Sequence, residues 1–137
     1  MTKKLLISFA ILVLFLTLFP FGWLGSLSPT FDALLGWLFP EPWGHFFGHG
    51  FMFIGVGLAL LLTLPKLRQR FWLYVPLVML VAVGQEFFQL VYKQRPIGLN
   101  DLTDLIPDVL GATTVFTLFH LLIQLRKSFV VVAEPQP

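Results

Sequence analysis

Residues 86–112 read EFFQLVYKQRPIGLNDLTDLIPDVLGA and lie between two long apolar runs of the chain. The polar members of this stretch include Glu86, Gln89, Arg95, Asp101, Asp104 and Asp108. The chain as a whole is unusually apolar, since 57% of its 137 residues are hydrophobic and only 12% are charged. An ordinary soluble domain carries roughly a quarter charged residues. The composition therefore predicts an integral membrane protein of one domain, and it argues against nucleic acid as a partner.

Four apolar runs approach the roughly 20 residues that a helix needs to cross a bilayer. They lie at about 5–23, 43–64, 71–92 and 104–125. The first run follows a basic start, but no Ala-x-Ala cleavage site comes after it, which favours a retained anchor over a cleaved signal peptide. We therefore predict an all-α membrane protein, a bundle of four transmembrane helices that forms one domain over residues 1–137.

The loop between the first two runs has a helical pattern of its own. Apolar residues recur at helical spacing from Phe31 to Leu38, and Pro29 suits the first turn of a helix. The segment is too short to cross the bilayer twice. An amphipathic helix at about 29–39, lying in the membrane interface with Trp37 at headgroup depth, is the predicted structure.

Lysine and arginine positions predict the orientation of the four helices. One side of the bundle carries Lys3, Lys4, Lys66, Arg68, Arg70, Arg126 and Lys127, and the other carries Lys93 and Arg95. Basic residues accumulate on the cytoplasmic side of membrane proteins. Both termini are therefore expected in the cytoplasm, with the loops at 24–42 and 93–103 outside.

The polar side chains of the outer half fall on one stripe of each of three helices. The stripes consist of His45 and His49, of Glu86, Gln89 and Lys93, and of Asp101, Asp104, Asp108 and Gly111. An unpaired charge in hydrocarbon costs several kcal/mol, so ionisable residues at membrane depth face the bundle interior and pair. The sequence predicts one shared polar pocket that opens to the outside.

Structural explanations exist for some of these residues. Asp101 and Asp104 suit the positive end of a helix, and His45 and His49 suit hydrogen bonding at the interface. Both the structural and the functional interpretation of these residues stay open. Glu86 has no capping explanation, because a helix C-terminal end does not favour an acid. His120 lies off the stripe, in the inner half, and is expected to be structural.

The combined pattern resembles the VanZ-like family of small bacterial membrane proteins. Its elements are Glu86-x-x-Gln89, Arg95 and Asp104-x-x-x-Asp108-x-x-Gly111, preceded by His49 and by Phe53 four residues on. The resemblance covers about residues 45–112. Two positions depart from it: the family usually has Asn where this chain has Asp108, and often a small residue where it has Val115. The first changes the expected charge of the pocket, and the second predicts looser packing of the fourth helix.

The resemblance implies a multi-pass protein of the bacterial plasma membrane, in a family named for a member that gives low-level resistance to teicoplanin. We expect a cell-envelope protein whose pocket binds a lipid-linked intermediate or a lipoglycopeptide among membrane lipids. Its expected ligand-binding residues are His45, His49, Glu86, Gln89, Arg95, Asp101, Asp104 and Asp108, with Gly111 as a packing residue. Arg95 would pair a phosphate or carboxylate, and phenylalanine walls would hold an acyl chain.

Two other functions stay open. A membrane-embedded enzyme acting on a lipid-linked envelope substrate could use His with Glu and Asp to bind a divalent metal or as acid and base. The chain has no tight metal signature such as H-E-x-x-H. A small transporter subunit is the other, but a proton path needs ionisable groups across the whole membrane. No cofactor and no metal are expected from the sequence, and oligomerisation is left open.

Overall fold

The computed structural model describes residues 2–19, 21–40, 43–94 and 96–133, and all the regular structure in these residues is helical. The helices are α1 (Lys3–Leu18), α2 (Phe21–Leu27), α3 (Pro29–Leu38), α4 (Trp43–Thr63), α5 (Phe71–Lys93) and α6 (Leu99–Ala133). A 3-10 helix, Pro65–Gln69, joins α4 to α5. The all-α prediction is thus confirmed.

Three helices are long and apolar enough to cross a membrane: Trp43–Thr63, Phe71–Lys93 and the part of α6 at Asp101–Ser128. The first two agree with the predicted spans 43–64 and 71–92 to within a residue. The predicted span 104–125 lies inside α6, which extends beyond it at both ends. The protein is therefore a helical protein with at least three candidate membrane spans in the described residues.

The first predicted span, 5–23, differs from the structure. Helix α1 ends at Leu18 after 16 residues, which makes it about 24 Å long, against a hydrocarbon core of about 30 Å. Phe19 is extended, with φ −70° and ψ 129°. A proline clashes with a helical residue before it, and residue 20 is a proline. The expectation of one continuous helix to residue 23 is wrong for this reason.

Prolines also set other helix ends. Ser28, Phe39 and Leu64 each precede a proline, and their ψ values of 104°, 68° and 79° all lie outside the helical region. Ser28 additionally caps α3, because its Oγ accepts a hydrogen bond from the backbone N–H of Phe31 at 3.3 Å. Helix α3 matches the predicted 29–39 segment, and its place at the membrane interface stays a prediction.

Helices α4 and α6 form the main packing interface and run in the same direction. His45 contacts Asp104, and His49, one turn further along α4, contacts Asp108, one turn further along α6. Helix α1 runs opposite to α4, because Thr17 and Phe19 at its C-terminal end lie beside His45 and Gly48 near the α4 start. Helix α5 also runs opposite to α4, since Tyr74 near its start lies against Gly57 and Glu86 near its end lies beside His49.

The centre of the bundle is a small apolar core. It consists of Phe53, Val56, Leu61, Leu67, Tyr74, Val78, Ala82 and Ala112. The outer faces of the same helices are apolar too, with Phe51 77%, Leu80 68% and Leu122 65% exposed. A water-exposed surface of this kind would be an unstable one, whereas lipid chains cover it without penalty.

The end of the bundle opposite the predicted polar pocket is basic. Arg68 closes α4 there, because its Nε donates to the carbonyl of Leu61 at 2.7 Å and its guanidinium lies 5.5 Å from the Phe119 ring. Cations stabilise the negative C-terminal end of a helix. The polar residues predicted for the outer half are therefore held at the other end, in the layer described next.

Candidate functional site

The polar side chains near the start of α4 form one layer of the bundle, called the polar layer, which consists of His45, His49, Gln85, Glu86, Asp104 and Asp108. Two histidines on α4 form one wall of it. His45 and His49 are four residues apart, so they lie on the same face of the helix, and their ring centroids are 4.6 Å apart. Small residues surround them, with Gly44, Gly48 and Gly50 on the same turns. A neighbouring helix can approach closely at this point because the glycines add no side-chain bulk.

Two aspartates on α6 meet these histidines in matched pairs. Nε2 of His45 lies 3.0 Å from Oδ2 of Asp104, and Nδ1 of His49 lies 2.9 Å from Oδ1 of Asp108. The two pairs differ greatly from each other in the exposure of their side chains. The side chains of His45 and Asp104 are 48% and 15% exposed, and those of His49 and Asp108 are 4% and 0% exposed. The outer pair faces the surroundings and the inner pair is sealed in the bundle.

Glu86 completes the inner layer from α5. Its Oε1 lies 4.0 Å from Nδ1 of His49, and the residue is 6% exposed. The structure thus brings together two carboxylates and one imidazole from three different helices. This is the placement the sequence predicted for Glu86, His49 and Asp108, with Asp104 one turn further out beside His45.

Several buried oxygen atoms in this layer lack a hydrogen-bond partner among the described residues. They are both carboxylate oxygens of Glu86, Oδ2 of Asp108 and Oε1 of Gln85. Buried polar atoms are almost always paired, and each exception needs an explanation. The layer therefore has unused acceptor capacity at oxygen atoms that are buried in the protein.

A cavity of about 770 Å³ opens in front of the histidines. Its polar lining includes His45, His49, Gln85, Gln89 and Lys93. Its apolar walls come from α1, α3 and α4, including Leu16, Phe19, Leu35, Phe39 and Met52. Glu86, Asp104 and Asp108 do not line it, so the acids lie behind the histidines. The sequence prediction placed acids and histidines in one open pocket, and the structure separates a cavity from a buried layer.

Asp101 and Gln89 have local partners. Oδ2 of Asp101 accepts a hydrogen bond from the backbone N–H of Gly98 at 2.6 Å, and Asp101 is 2% exposed at the start of α6. Oε1 of Gln89 accepts from Nζ of Lys93 at 2.9 Å, one helical turn away. Asp101 thus holds the α5–α6 loop on α6, whereas Gln89 and Lys93 together face the cavity.

Arg95, the predicted cap of the pocket, lies outside the described residues. Its pairing with a ligand or with Glu86 stays a prediction. Helix α5 ends at Lys93, and its C-cap residue Gln94 has a left-handed backbone, with φ 48° and ψ 40°. This conformation stops α5 at the level of the cavity, which Lys93 lines.

Gly111 has the packing position that the sequence predicted. A Cβ atom at this residue would overlap the backbone carbonyl of Gly50 on α4. The looser packing expected from Val115 is not observed, because Val115 is 9% exposed and its Cγ1 lies against Gly57 of α4. The small residue is supplied by the opposite helix, so the close approach is kept.

Two buried polar residues were missed by the sequence interpretation. Gln85 is 2% exposed and lines the cavity, and Tyr74 is fully buried with its hydroxyl donating to the Ala112 carbonyl at 2.7 Å. Both lie on the α5 face of Val78 and Ala82, at spacings of three and four residues. Their position on the same helical face as these buried apolar residues could have predicted their burial. His120 stacks on Phe116 at 4.3 Å, as expected of a structural histidine.

The side chains of the polar layer suit two kinds of chemistry, general-base catalysis and metal binding. A histidine held by a carboxylate can act as a general base, and this arrangement occurs twice. Two sets of three side chains also have ligand atoms within 4.8 Å of one another: His45, His49 and Asp104, and His49, Glu86 and Asp108. Imidazole and carboxylate ligands together suit divalent transition metals.

Comparisons of the chain with protein-family models, with curated proteins and with solved structures found no match. The fold and the polar layer define the chain as a helical membrane protein with a buried histidine–carboxylate centre.

Proposed function

We propose that this chain is a VanZ-like membrane protein that binds an anionic amphiphile, a polyisoprenyl-phosphate-linked envelope lipid or a lipoglycopeptide, in the cavity between α1, α3, α4 and α5. The single observation that carries the proposal is the form of this cavity, which has apolar walls and one polar end. Its volume of about 770 Å³ falls within the range of about 300–1,000 Å³ that is usual for ligand sites.

The polar end suits a phosphate or carboxylate headgroup. Lys93 carries a positive charge at the cavity edge, His45 offers a half-exposed imidazole, and Gln85 and Gln89 offer amides. Charged donors make the strongest hydrogen bonds to phosphate oxygens. Arg95 follows Lys93 by two residues, and its predicted role is to add a second cation to this group.

An apolar crevice gives the hydrocarbon part of such a ligand a place. A second space of about 180 Å³ lies between the end of α1 and the end of α5. Leu18, Phe88 and Val91 line it, and it shares Thr17 and Gln85 with the main cavity. An acyl or isoprenyl chain lying in this crevice would stay in contact with the bilayer while the headgroup reaches the polar end.

The proposal places the protein in a bacterial plasma membrane with four crossings and both termini in the cytoplasm. Two observations support this orientation. Helix α1 lies antiparallel to α4, which brings Lys3 and Lys4 to the same end of the bundle as Lys66 and Arg68. Basic residues at one end indicate the cytoplasmic side. The cavity is then open to the outer leaflet, where a lipid-linked envelope precursor or a lipoglycopeptide is met.

Native mass spectrometry of the purified full-length protein with undecaprenyl phosphate tests the proposal. One bound lipid is expected, displaced neither by a zwitterionic lipid nor by the uncharged polyprenol. Gly36→Phe is the blocking variant, because Gly36 lines the cavity and a Cβ there meets no atom within 4 Å. Gly84→Phe is the matched control, since Gly84 also has free space but lies outside the cavity lining.

Binding that survives Gly36→Phe, or that is lost equally in Gly84→Phe, would contradict the cavity as the binding site. The lipoglycopeptide arm uses teicoplanin beside a glycopeptide without an acyl chain. Cells that express the wild-type protein should tolerate more teicoplanin than cells that express Gly36→Phe, with no difference for the second drug. An equal effect on both drugs would remove the acyl chain from the recognition.

A membrane-embedded enzyme is the second candidate, favoured by the position of His45. Its side chain is 48% exposed and lines the cavity, and its Nε2 lies 3.0 Å from Oδ2 of Asp104. A general base must reach its substrate while a third group orients it. Release of inorganic phosphate from a polyisoprenyl diphosphate by the wild type, and its loss in His45→Gln, would establish the enzyme. Intact lipid recovered after prolonged incubation would exclude this reaction.

A further inference from the structure

We propose that His49, Glu86 and Asp108 bind one divalent transition-metal ion in the buried layer behind the cavity. The three side chains come from α4, α5 and α6, and none of them exceeds 7% exposure. The proposal does not depend on which amphiphile fills the cavity, because the three ligands are chain residues and two of them do not line it.

The distances fit a common ion. A metal bound by His and carboxylate ligands lies about 2.0–2.2 Å from each ligand atom, so two such atoms are at most about 4.0–4.4 Å apart. Nδ1 of His49 lies 2.9 Å from Oδ1 of Asp108 and 4.0 Å from Oε1 of Glu86. All three ligand atoms lie within 4.8 Å of one another. The 4.8 Å limit exceeds the longest of these separations by about 0.4 Å, so small side-chain shifts would complete the set.

The unpartnered oxygens point to a ligand independently of these distances. Both oxygens of Glu86 and Oδ2 of Asp108 lack a hydrogen-bond partner among the described residues. Asp108 is 0% exposed and Glu86 is 6% exposed, so neither is solvated. A cation is the natural partner for acceptor atoms that have no donor, since a carboxylate can bind through one oxygen or both.

The charge of the layer leads to the same conclusion. With neutral His49, the two carboxylates carry two negative charges, and a divalent ion brings the set to zero. No lysine or arginine in the described part of the chain forms an ion pair with either acid. A net charge in the middle of a membrane bundle is costly, and neutralisation by a metal removes that cost.

The donor set selects the class of metal. One imidazole with two carboxylates suits Zn²⁺, Mn²⁺ or Fe²⁺, whereas Ca²⁺ takes six to eight oxygen ligands, which three side chains cannot supply. The alternative set of His45, His49 and Asp104 shares His49 but includes a half-exposed ring. The buried set is preferred because it holds the unpartnered acids, whose charge a metal would offset.

Zinc content and thermal unfolding of the full-length protein test the proposal. The chain is purified in detergent, stripped with a chelator and reloaded with Zn²⁺ alone. We expect about one zinc per chain and a rise in the unfolding temperature when Zn²⁺ is added. Ca²⁺ should produce no such rise. Asp108→Asn and Glu86→Gln should each weaken zinc binding by more than tenfold, since even partners outside the metal's own ligands change affinity about 10–100-fold.

Two controls keep the result interpretable. His120→Asn removes a histidine that stacks on Phe116 in the other half of the bundle, and Asp104→Asn removes the acid of the outer pair. Both should keep the zinc. Co²⁺ loading of the wild type gives a visible spectrum that reports imidazole and carboxylate ligation without any variant having to fold. Absence of zinc and of a Co²⁺ band in the wild type, or loss of zinc in Asp104→Asn with retention in Asp108→Asn, would overturn the proposal.

Discussion

Nδ1 of His49 lies 2.9 Å from Oδ1 of Asp108, and the two residues are 4% and 0% exposed. They belong to α4 and α6, 59 positions apart in the chain. The same separation relates His45 to Asp104 one turn nearer the outside. The two pairs can therefore be compared directly, since their interatomic distances are alike, 3.0 Å and 2.9 Å, and their exposures differ.

The first prediction compares the coupling energies of the two pairs. Removal of one partner from a buried pair leaves an uncompensated charge or an unpaired ring. We expect the His49→Ala and Asp108→Ala double-mutant cycle to give a coupling of about 2–3 kcal/mol. The half-exposed pair should give at most about 1 kcal/mol from His45→Ala and Asp104→Ala.

Reversible unfolding of all six variants in one detergent measures these couplings. The cycle cancels the cavity that each truncation leaves, so only the pairwise energy remains. Equal couplings for the two pairs would show that burial does not control the interaction. The inner pair would then not be the structural link between α4 and α6.

The second prediction concerns the contact of Gly111 with α4. A methyl group at this position overlaps the Gly50 carbonyl, so Gly111→Ala must push the two helices apart. Overpacking of this kind costs about 1–3 kcal/mol. Gly84→Ala is the control, since a Cβ atom there meets nothing within 4 Å. It should leave the unfolding temperature unchanged or raise it, because alanine favours the helix.

Gly111→Ala should also reduce zinc content, since separation of the helices carries Asp108 away from His49. A stable Gly111→Ala protein with full zinc content would contradict the close approach. The same measurements on Gly84→Ala show whether any loss comes from handling alone.

Much of the polar layer was predictable because helical periodicity fixes which residues share a face. The i, i+4 spacing of His45 and His49 and of Asp104 and Asp108 is visible in the sequence. The rotation of one helix about another is not, since it depends on where backbones can touch. Here the Gly50–Gly111 contact brings the two faces together, so the pairing of each histidine with its aspartate had to come from the structure.

The ends of the helices and the burial of individual side chains were harder to predict. The apolar run at 5–23 suggested one span, yet the proline at residue 20 ends α1 at Leu18. The sequence did not predict the burial of Gln85, although Gln85 and Glu86 are both buried on α5. Hydropathy averages over a window and cannot separate a residue behind the cavity from one that lines it. Side-chain contacts between helices make that distinction.

The third prediction uses the buried hydroxyl of Tyr74. It donates to the Ala112 carbonyl at 2.7 Å and links α5 to α6. Tyr74→Phe should lower the free energy of unfolding by about 1 kcal/mol, the usual net value of one hydrogen bond. Tyr92→Phe is the control, because Tyr92 is 40% exposed and loses no buried bond. An equal effect of the two variants, measured by thermal unfolding, would contradict the interhelical role.

The fourth prediction is the orientation of the helices. The natural chain has no cysteine, so single cysteines at Lys3, Gly36, Lys66 and Ile97 can be labelled one at a time in intact cells. Gly36 and Ile97 should react with an impermeant maleimide from outside, and Lys3 and Lys66 only after the membrane is opened. All four residues lie on exposed parts of the fold.

Each site tests a different part of this orientation. External labelling at Lys3 would mean that α1 does not cross, and the protein would then have three spans. External labelling at both Lys66 and Ile97 would reject α5 as a span. Lys127→Cys, at the basic end of α6, should behave like Lys66→Cys and serves as the internal reference.

The last prediction concerns Glu86, whose side chain is 7% exposed and whose oxygens have no hydrogen-bond partner among the described residues. Glu86→Gln keeps the shape of the side chain and removes its charge. If that charge serves ligand or metal binding, the variant should insert and fold as the wild type does but lose the teicoplanin tolerance that we propose for the wild type. Expression in a sensitive bacterial strain, with detergent-solubilised unfolding beside it, measures both properties.

Arg95 decides between this role and a purely structural one. If Arg95 pairs with Glu86 as a buried ion pair, Arg95→Ala alone leaves an unpaired carboxylate and should cost about 3–5 kcal/mol. The double variant Arg95→Ala, Glu86→Gln should then be more stable than Arg95→Ala, and Glu86→Gln alone should keep its tolerance. If Glu86 serves binding instead, Arg95→Ala should leave stability nearly unchanged, and only the Glu86→Gln chain should lose its zinc. A folded Glu86→Gln protein with full tolerance and full zinc content would remove Glu86 from the site and leave His45 and His49 with their aspartates as the residues to test.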